Sequence, residues 1–558
     1  MNRALVLGAL ALFGVAALLP LCAMVLRIES ADLARVFEPR VHALFGRTLA
    51  LGLGAAGLAF ILGLPFGYAV ARTDVPGARW LRTLGIIPIL VPPLFLAMTW
   101  TVLVEWRGLV ASVFVLGLAG FPLVAIFAAR AAERVDRRLV EAARLAGGAP
   151  AALRIDFAMM LPPALAGACL AFVFAVNDFA VPNYVSFVGP KFNVYADDIF
   201  ASWNQLGQPG LAVAKSLPLI ALNLLALVPA LILRKRGAFA TLASGFQEPA
   251  RWNLGTWRAP VLLGLLGVLA LSAFVPIGRL VYEAGGGPRN FTDARVAQVV
   301  GSDAGDLGEG AQAETTAAHV GLLERVQAAP VLVAGFLRNG RAAFRTAFDR
   351  ARDDLVRSYR HAASAALLAV FFGLVLGHAI ERSRSRALGR ALEFAVLLPL
   401  AAPATLFGIG AIVLWARPQT QGLYQGEWMP TLLFAGRLAA FAVLITSGAV
   451  AALARPLEDA AAVAGVGPAR RLFTVVAPLV QGSLVGAFAL VFAFAMRELD
   501  SAILVPAANR TAIVRVYNGV HFGRDDFVAA LALVLVLSVL LPGLLWSAFS
   551  KRRMEVLP

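Results

Sequence analysis

Twelve stretches of mostly apolar residues, each close to the length of a membrane span, constrain this chain more than any other feature. They lie near 4–26, 48–70, 83–104, 108–129, 161–182, 211–233, 259–282, 361–380, 391–415, 430–454, 481–505 and 528–549. About 20 apolar residues in a helix cross the hydrocarbon core, and only a helix or a closed barrel satisfies the backbone there. Composition agrees: 60% of the 558 residues are hydrophobic and 15% are charged, against roughly 45–50% apolar in a soluble domain. A soluble multidomain enzyme cannot hide that much apolar surface. Disordered, collagenous and disulfide-rich chains are excluded too, because the two cysteines, Cys22 and Cys169, both sit in apolar stretches. The expected fold class is all-α, a polytopic membrane protein. Prolines inside the windows (Pro65, Pro88, Pro92, Pro93, Pro403) are tolerated where neighbours satisfy the freed backbone groups.

The net charge of +16 could point to nucleic acid, but the positions of the basic residues point to topology. With the N-terminus inside, the inside loops collect Arg72, Arg79 and Arg82, then Arg130 to Arg154, then Arg251 and Arg258. Further along they collect Arg382, Arg386 and Arg390, then Arg455, Arg470 and Arg471, and last Lys551, Arg552 and Arg553. The short outside loops hold fewer, such as Arg107, Lys191 and Arg417. This is the positive-inside bias, with both termini cytoplasmic and no nucleic-acid partner. The first window resembles a signal peptide in its short basic start at Arg3. Its apolar run continues to Val25 without a small-x-small cleavage site, so it reads as an uncleaved helix. One outside segment, 283–357, is long. It holds a Gly/acidic stretch (Gly285–Gly287, Asp303, Asp306, Glu309) and a basic, amphipathic run from Ala342 to Arg360. That run reads as a solvated or membrane-surface helix, with a docking surface for a soluble partner as the alternative.

The chain repeats itself. Six windows precede residue 247 and six follow it, giving expected halves 1–246 and 247–558. In the first, Glu141-Ala142-Ala143-Arg144-Leu145-Ala146-Gly147 precedes Leu161-Pro162-Pro163; in the second, Asp459-Ala460-Ala461-Ala462-Val463-Ala464-Gly465 precedes Ala477-Pro478. Both motifs fall in the inside loop between the fourth and fifth spans of their half, near 131–160 and 455–480. Six spans return the chain to its starting side, so the halves are parallel repeats, an arrangement common in transporters. An acid near the start of a short helix complements its dipole, Ala-Ala makes a slim face, and Gly ends the helix. Such a helix suits docking.

These residues carry a resemblance. The acid-Ala-Ala-x-x-x-Gly loop followed by a Leu-Pro-like step resembles the signature of the inner-membrane permease subunits of bacterial binding-protein-dependent ABC importers, and each half resembles one permease domain of a type I importer. The resemblance implies that each loop inserts a coupling helix into a cytoplasmic ATPase. The implied coupling positions are Glu141, Ala142, Ala143 and Gly147, with Asp459, Ala460, Ala461 and Gly465. It implies as partners two cytoplasmic ATP-binding subunits, an extracytoplasmic or periplasmic solute-binding protein and membrane lipid, with the chain in the bacterial inner membrane. The pattern departs in two places: Asp459 replaces the usual Glu, and the Gly-to-Pro spacing is longer in the first loop. The chain has no G-x-x-x-x-G-K-[ST] loop. ATP and magnesium are therefore expected on the partner ATPase, and the chain itself is expected to be no enzyme and to bind no cofactor.

Two permease domains fused in one chain resemble the ferric-iron and thiamine branches. The fifth span ends in Asn177-Asp178-Phe179 and the eleventh in Arg497-Glu498-Leu499-Asp500; these settings look more like the ferric-iron branch. An ionisable group within a span is costly unless paired or facing water. Asn177, Asp178, Arg497, Glu498 and Asp500 are thus candidates for a translocation path or gate, or for an ion pair that fixes the two halves. Arg497 could pair locally or reach across to Asp178. No resident metal site is expected, since the five histidines are scattered and a permease holds its cargo weakly. Asp197-Asp198 and Asp525-Asp526 lie in outside loops and are candidate docking acids for the binding protein. An ion-coupled secondary transporter also often has twelve spans, but the repeated loops disfavour it.

Overall fold

The computed structural model describes residues 3–204, 207–238, 247–248, 250–287, 322–383, 385–521 and 525–549. The carboxyl-terminal basic cluster Lys551, Arg552 and Arg553 and the acidic positions Asp303, Asp306 and Glu309 lie outside them. Among the described residues the regular secondary structure is helical, apart from one isolated bridge between Thr73 and Trp252.

In the first half, α1 is Arg3–Val25, α2 Ser30–Val36 and α3 Pro39–Arg72. They are followed by α4 (Ala78–Leu90), α5 (Pro93–Leu103), α6 (Gly108–Glu133) and α7 (Arg137–Asn177). The half closes with α8 (Ala180–Val188), α9 (Tyr195–Asn204) and α10 (Pro209–Ala238). The second half comprises α11 (Gly255–Ala284), α12 (Leu322–Phe372, continued to Glu381), α13 (Arg386–Ala401) and α14 (Ala404–Trp415). It continues through α15 (Met429–Ala452), α16 (Arg455–Val463), α17 (Pro468–Leu479), α18 (Gln481–Met496), α19 (Ala512–His521) and α20 (Asp525–Phe549). Among the described residues, eight single helices and three bent pairs are long and apolar enough to span a membrane, and α20 contains a shorter apolar stretch, Asp526–Leu540.

The third span of each half is broken at the same place. Helices α4 and α5 meet at 91°, and α13 and α14 at 97°. The cause is proline: Pro92 and Pro403 stand in extended backbone at the two corners, each opening the following helix. Prolines also explain three π-turns. Gly14–Leu18, Ala270–Phe274 and Leu472–Val476 each end two residues before a proline, at Pro20, Pro276 and Pro478. Proline removes one helical hydrogen bond and crowds the preceding turn, and a wider turn absorbs the misfit.

The two halves exchange their first spans. Helix α1 packs on α14 and α15 of the second half, where Gly436 lies so close to the Ala16 carbonyl that a Cβ would come within 2.4 Å. Small residues let membrane helices approach where lipid offers no hydrophobic drive. Phe13 meets Phe372 edge-on at 5.6 Å. Reciprocally, α11 packs on α5 of the first half, and the Trp100 indole donates to the Leu271 carbonyl at 3.2 Å. The sequence boundary near 247 is therefore not a boundary in packing.

Three expectations need correction. The fifth and eleventh windows run on to 182 and 505, but their helices stop at Asn177 and Met496. The polar pairs thus sit at helix ends, where the backbone itself needs partners, and not within a span. The segment 283–357 is not all loop: from Leu322 it is helix α12, leading directly into the eighth span. The amphipathic run from Ala342 to Arg360 belongs to that helix.

Candidate functional site

The two acid-Ala-Ala motifs lie on short, exposed helices at the ends of the spans. The first opens α7: Asp136 caps it by accepting the Arg138 N–H at 2.9 Å. Glu141 pairs with Arg137 one turn earlier at 2.5 Å. The helix then breaks at Gly147-Gly148, where the backbone leaves the helical region within α7. The left-handed residue is Gly148 (φ +71°), one beyond the expected Gly147. The second motif forms α16 and ends as expected at Gly465 (φ +80°). There Gly465 donates to Ala462 and Val466 to Ala461, both at 3.0 Å, which closes the helix in a Schellman turn.

Both helices present large apolar side chains to the outside at matching places. Leu139 and Leu457 are each 49% exposed, and Leu145 and Val463 are 90% and 91% exposed. Glu141, Ala142, Asp459 and Ala460 are exposed beside them, with Ala143 and Ala461 half-buried. Paired apolar residues exposed at equivalent points of two repeats, on the basic side of the molecule, mark a surface meant to be covered.

The helices are anchored differently. Immediately before Asp459 stands Glu458, which accepts from Arg382 at 2.7 Å and contacts His378 Nε2 at 2.8 Å. Burial tends to raise its pKa, but hydrogen bonds and charge from His378 and Arg382 outweigh this and leave the carboxyl below the ordinary glutamate value. Immediately before Glu141 stands Val140, which cannot pair. There the corresponding arginine, Arg72, is fully buried and grips Asp156 beyond the break, at 2.8 Å. Tyr68 joins it at 3.1 Å. These anchors were not singled out from the sequence. The signal was there: Arg72 and Arg382 each end the second span of their half.

At the far ends of α7 and α18 the two halves meet around a small cavity of about 70 Å³, lined by Asn177, Asp178, Arg437, Arg497, Glu498 and Asp500 among others. Asp178 and Glu498 hold the same local place. Each carboxylate accepts the backbone N–H three residues on, from Val181 at 2.8 Å and Ser501 at 3.3 Å. Glu498 also accepts the Ser501 hydroxyl at 3.0 Å and forms a buried ion pair with Arg437 of α15. Arg437 is the lone charge in the apolar stretch 429–452, a signal of function visible in the sequence itself.

Arg497 reaches neither Glu498 nor Asp178. It crosses to the first half and donates to the carbonyl of Ile89, with its guanidinium 4.8 Å from the Phe494 ring centre. That carbonyl is free because its helical partner would be the N–H of Pro93, which does not exist. The second half offers the mirror case. Ala401 ends α13, so its carbonyl also lacks a helical donor. Asn223 of α10 fills it at 2.7 Å and also donates to Asn177 at 3.0 Å. Each broken third span is thus latched by a polar group associated with the other half's fifth span. One turn toward the motif helices, Phe174, Phe441 and Phe494 pack ring to ring at 5.0–5.9 Å. They form an apolar floor beneath the charged layer.

The outside acids divide. Asp197 and Asp198 are buried, and Asp198 pairs with Lys215 of α10. Asp198 thereby holds α9 to the sixth span, Asp197 accepts the Val194 N–H at the start of α9 at 3.2 Å, and neither is a free docking surface. Asp526 is exposed; the side chain of Asp525 lies outside the described residues. A second device fixes α9 and α19. Their first N–H groups, of Tyr195 and Ala512, each donate to a hydroxyl at 2.8 Å, from Thr48 of α3 and Ser358 of α12.

Two segments of the chain, residues 63–237 and 369–556, match the family described as binding-protein-dependent transport system inner membrane component. Both matches contain a motif helix and a polar helix end; α1 and the segment 283–357 fall outside them. The chain is also similar to the molybdate/tungstate transport system permease protein WtpB of Thermococcus kodakarensis, with 26% identity over 149 residues, 25% of this chain. The matched part spans 59% of that relative.

Proposed function

The chain belongs to the family of binding-protein-dependent transport system inner membrane components, and on that premise we propose that it is the membrane-spanning permease of an ATP-driven importer. The observation that carries this reading is the pair of equivalent cytoplasmic helices, each exposing a leucine near its start and an aliphatic residue near its end. Two cytoplasmic ATP-binding subunits cover them, one per helix, and supply the ATP and magnesium chemistry. An extracytoplasmic solute-binding protein delivers cargo on the opposite side. Both termini face the cytoplasm of a bacterial inner membrane.

In this reading the structure is the closed form of the path. Closure of the ATPase subunits draws the two coupling helices together. The halves rock, the latches on Ile89 and Ala401 release, and the aromatic floor parts. ATP and loaded binding protein both favour the open form, so each strengthens the effect of the other. The polar groups at the helix ends line the opened path and hold the solute only in passing.

For the cargo we propose ferric iron, on the fused halves and the Asn-Asp-Phe and Arg-Glu-Leu settings of the two helix ends. A second reading is an oxyanion. It is favoured by the similarity to a molybdate/tungstate permease and by the two guanidinium groups, Arg437 and Arg497, at the cavity. The chain is reconstituted with its ATPase subunits, and the cognate binding protein is loaded in turn with Fe(III), thiamine or molybdate. Stimulation of ATP hydrolysis by Fe(III) alone supports the first reading, and by molybdate alone the second. Stimulation by thiamine alone removes both.

A further inference from the structure

The segment that joins the two halves is laid along the cytoplasmic end of the first half, and its contacts converge on the first coupling helix. Trp252 runs beside the end of α3. Its N–H donates to the Arg72 carbonyl at 2.6 Å, and its own carbonyl accepts the Asp74 N–H at 3.1 Å. Its indole N–H donates to Asp156 at 3.0 Å, the carboxylate that Arg72 grips. Arg144 of the coupling helix lays its guanidinium over the indole ring, 5.2 Å from the centre. At the other end of that helix the N–H of Arg137 is satisfied by the carbonyl of Gln247. The segment is then tied down before α11 begins to cross: Leu254 donates to Asp74 at 2.9 Å and Arg258 forms an ion pair with the same carboxylate.

The second coupling helix holds itself through Glu458. The first has Val140 in that place, and the joining segment touches it at both ends instead. We propose that the inter-repeat residues 250–258, together with Gln247, are a positioning strap for the first coupling helix, with Trp252 as its anchor. Trp252 does not contact the ATPase surface; it acts through Arg144, fixing the pose in which Leu145 and Glu141 are presented. The functional part of this proposal rests on the importer reading, and the first arm of its test does not.

In that arm, Cys22 and Cys169 are replaced by alanine and a spin label is placed by Leu145→Cys or, separately, Val463→Cys in the full-length reconstituted chain. Trp252→Ala and Arg144→Gln are expected to raise the mobility of the label at 145 and leave that at 463 unchanged. Arg144→Gln leaves the Arg72–Asp156 pair intact, so it decides the matter if Trp252→Ala fails to insert. Trp252→Phe keeps a ring beneath Arg144 and is expected to restore much of the order. An unchanged label at 145 in Arg144→Gln overturns the strap, as does equal loosening at both sites. In the second arm, Arg144→Gln is expected to raise the concentration of ATPase subunit needed for half-maximal stimulation by roughly three- to tenfold, the size of one lost cation–π contact. Maximal stimulation is expected to stay unchanged. An unchanged half-maximal concentration contradicts the proposal. If the unmodified chain shows no stimulation at all, the importer reading fails, and the label arm still judges the strap.

Discussion

Phe174 and Phe494 hold the same place in the two repeats, one turn before Asp178 and Glu498, and their rings meet across the interface of the halves at 5.6 Å. Joined by Phe441, these two equivalent rings form an apolar layer between the halves, which in the importer reading closes the path to water and ions. Truncating them removes that closure. Phe174→Ala combined with Phe494→Ala is expected to make liposomes holding the chain leak a small trapped dye without ATP. Liposomes that remain as tight as those with the unmodified protein would show that the path lies elsewhere. Truncating Phe494, which is buried, also costs stability, on the order of 3–5 kcal/mol, and truncating the half-buried Phe174 costs less.

Arg437 and Glu498 form a buried pair in a spanning region. Removing one partner strands the other charge, at a cost of about 3–5 kcal/mol. Arg437→Met and Glu498→Leu are each expected to lower the melting temperature markedly. The double variant is expected to recover most of the loss, because a well-packed apolar pair is a fair substitute for a buried ion pair. Additive losses in a double-mutant cycle would mean that the two residues do not act as a pair.

The latch from Arg497 to the Ile89 carbonyl leads to a prediction about the closed state. Arg497→Met leaves that carbonyl without a partner and weakens closure. Basal ATPase activity, measured without binding protein, is expected to rise several-fold. Asn223→Leu opens the opposite latch on Ala401 and is expected to act in the same direction. A fall in basal activity in both variants would contradict the latch.

Glu458 links the second coupling helix to pH. Its carboxyl lies below the ordinary glutamate value in the folded chain. A depressed acid contributes stability that is present above its unfolded value, about 4.3, and lost as pH falls through its folded value. The difference in stability between the unmodified chain and Glu458→Gln is therefore expected to be largest near neutrality and to shrink below about pH 4. Proteolytic sensitivity of the 455–467 region, compared across pH, reads this directly. A difference that does not vary with pH would place the anchoring elsewhere.

The sequence yielded what is local or repeated. Apolar windows marked the spans, and the acid-Ala-Ala motif marked both exposed helices because the same residues recur at the same topological point. Gly465 closes its helix where the motif suggested, and the first motif helix breaks at Gly147 as well, with the left-handed residue at its neighbour Gly148. What escaped depends on contacts distant in the chain. Asp197 and Asp198 look like surface acids until folding brings Lys215 beside them. Arg497 and Glu498 are neighbours in sequence but turn to opposite halves. Their partners, Ile89 and Arg437, become visible only when a proline is seen to free a carbonyl, or when a single arginine in an apolar stretch is asked for its counter-ion. The exchange of α1 and α11 between the halves leaves no local mark at all.

The central claim is that the two exposed motif helices transmit ATP hydrolysis. It is tested most directly by Glu141→Lys combined with Asp459→Lys, reconstituted with the ATPase subunits and loaded binding protein. Both carboxylates are exposed, so the variant is expected to insert and melt as the unmodified chain does. Its ATP hydrolysis is expected to fall to the level of the ATPase subunits alone, with no stimulation by binding protein. Full stimulation in this variant would contradict the account.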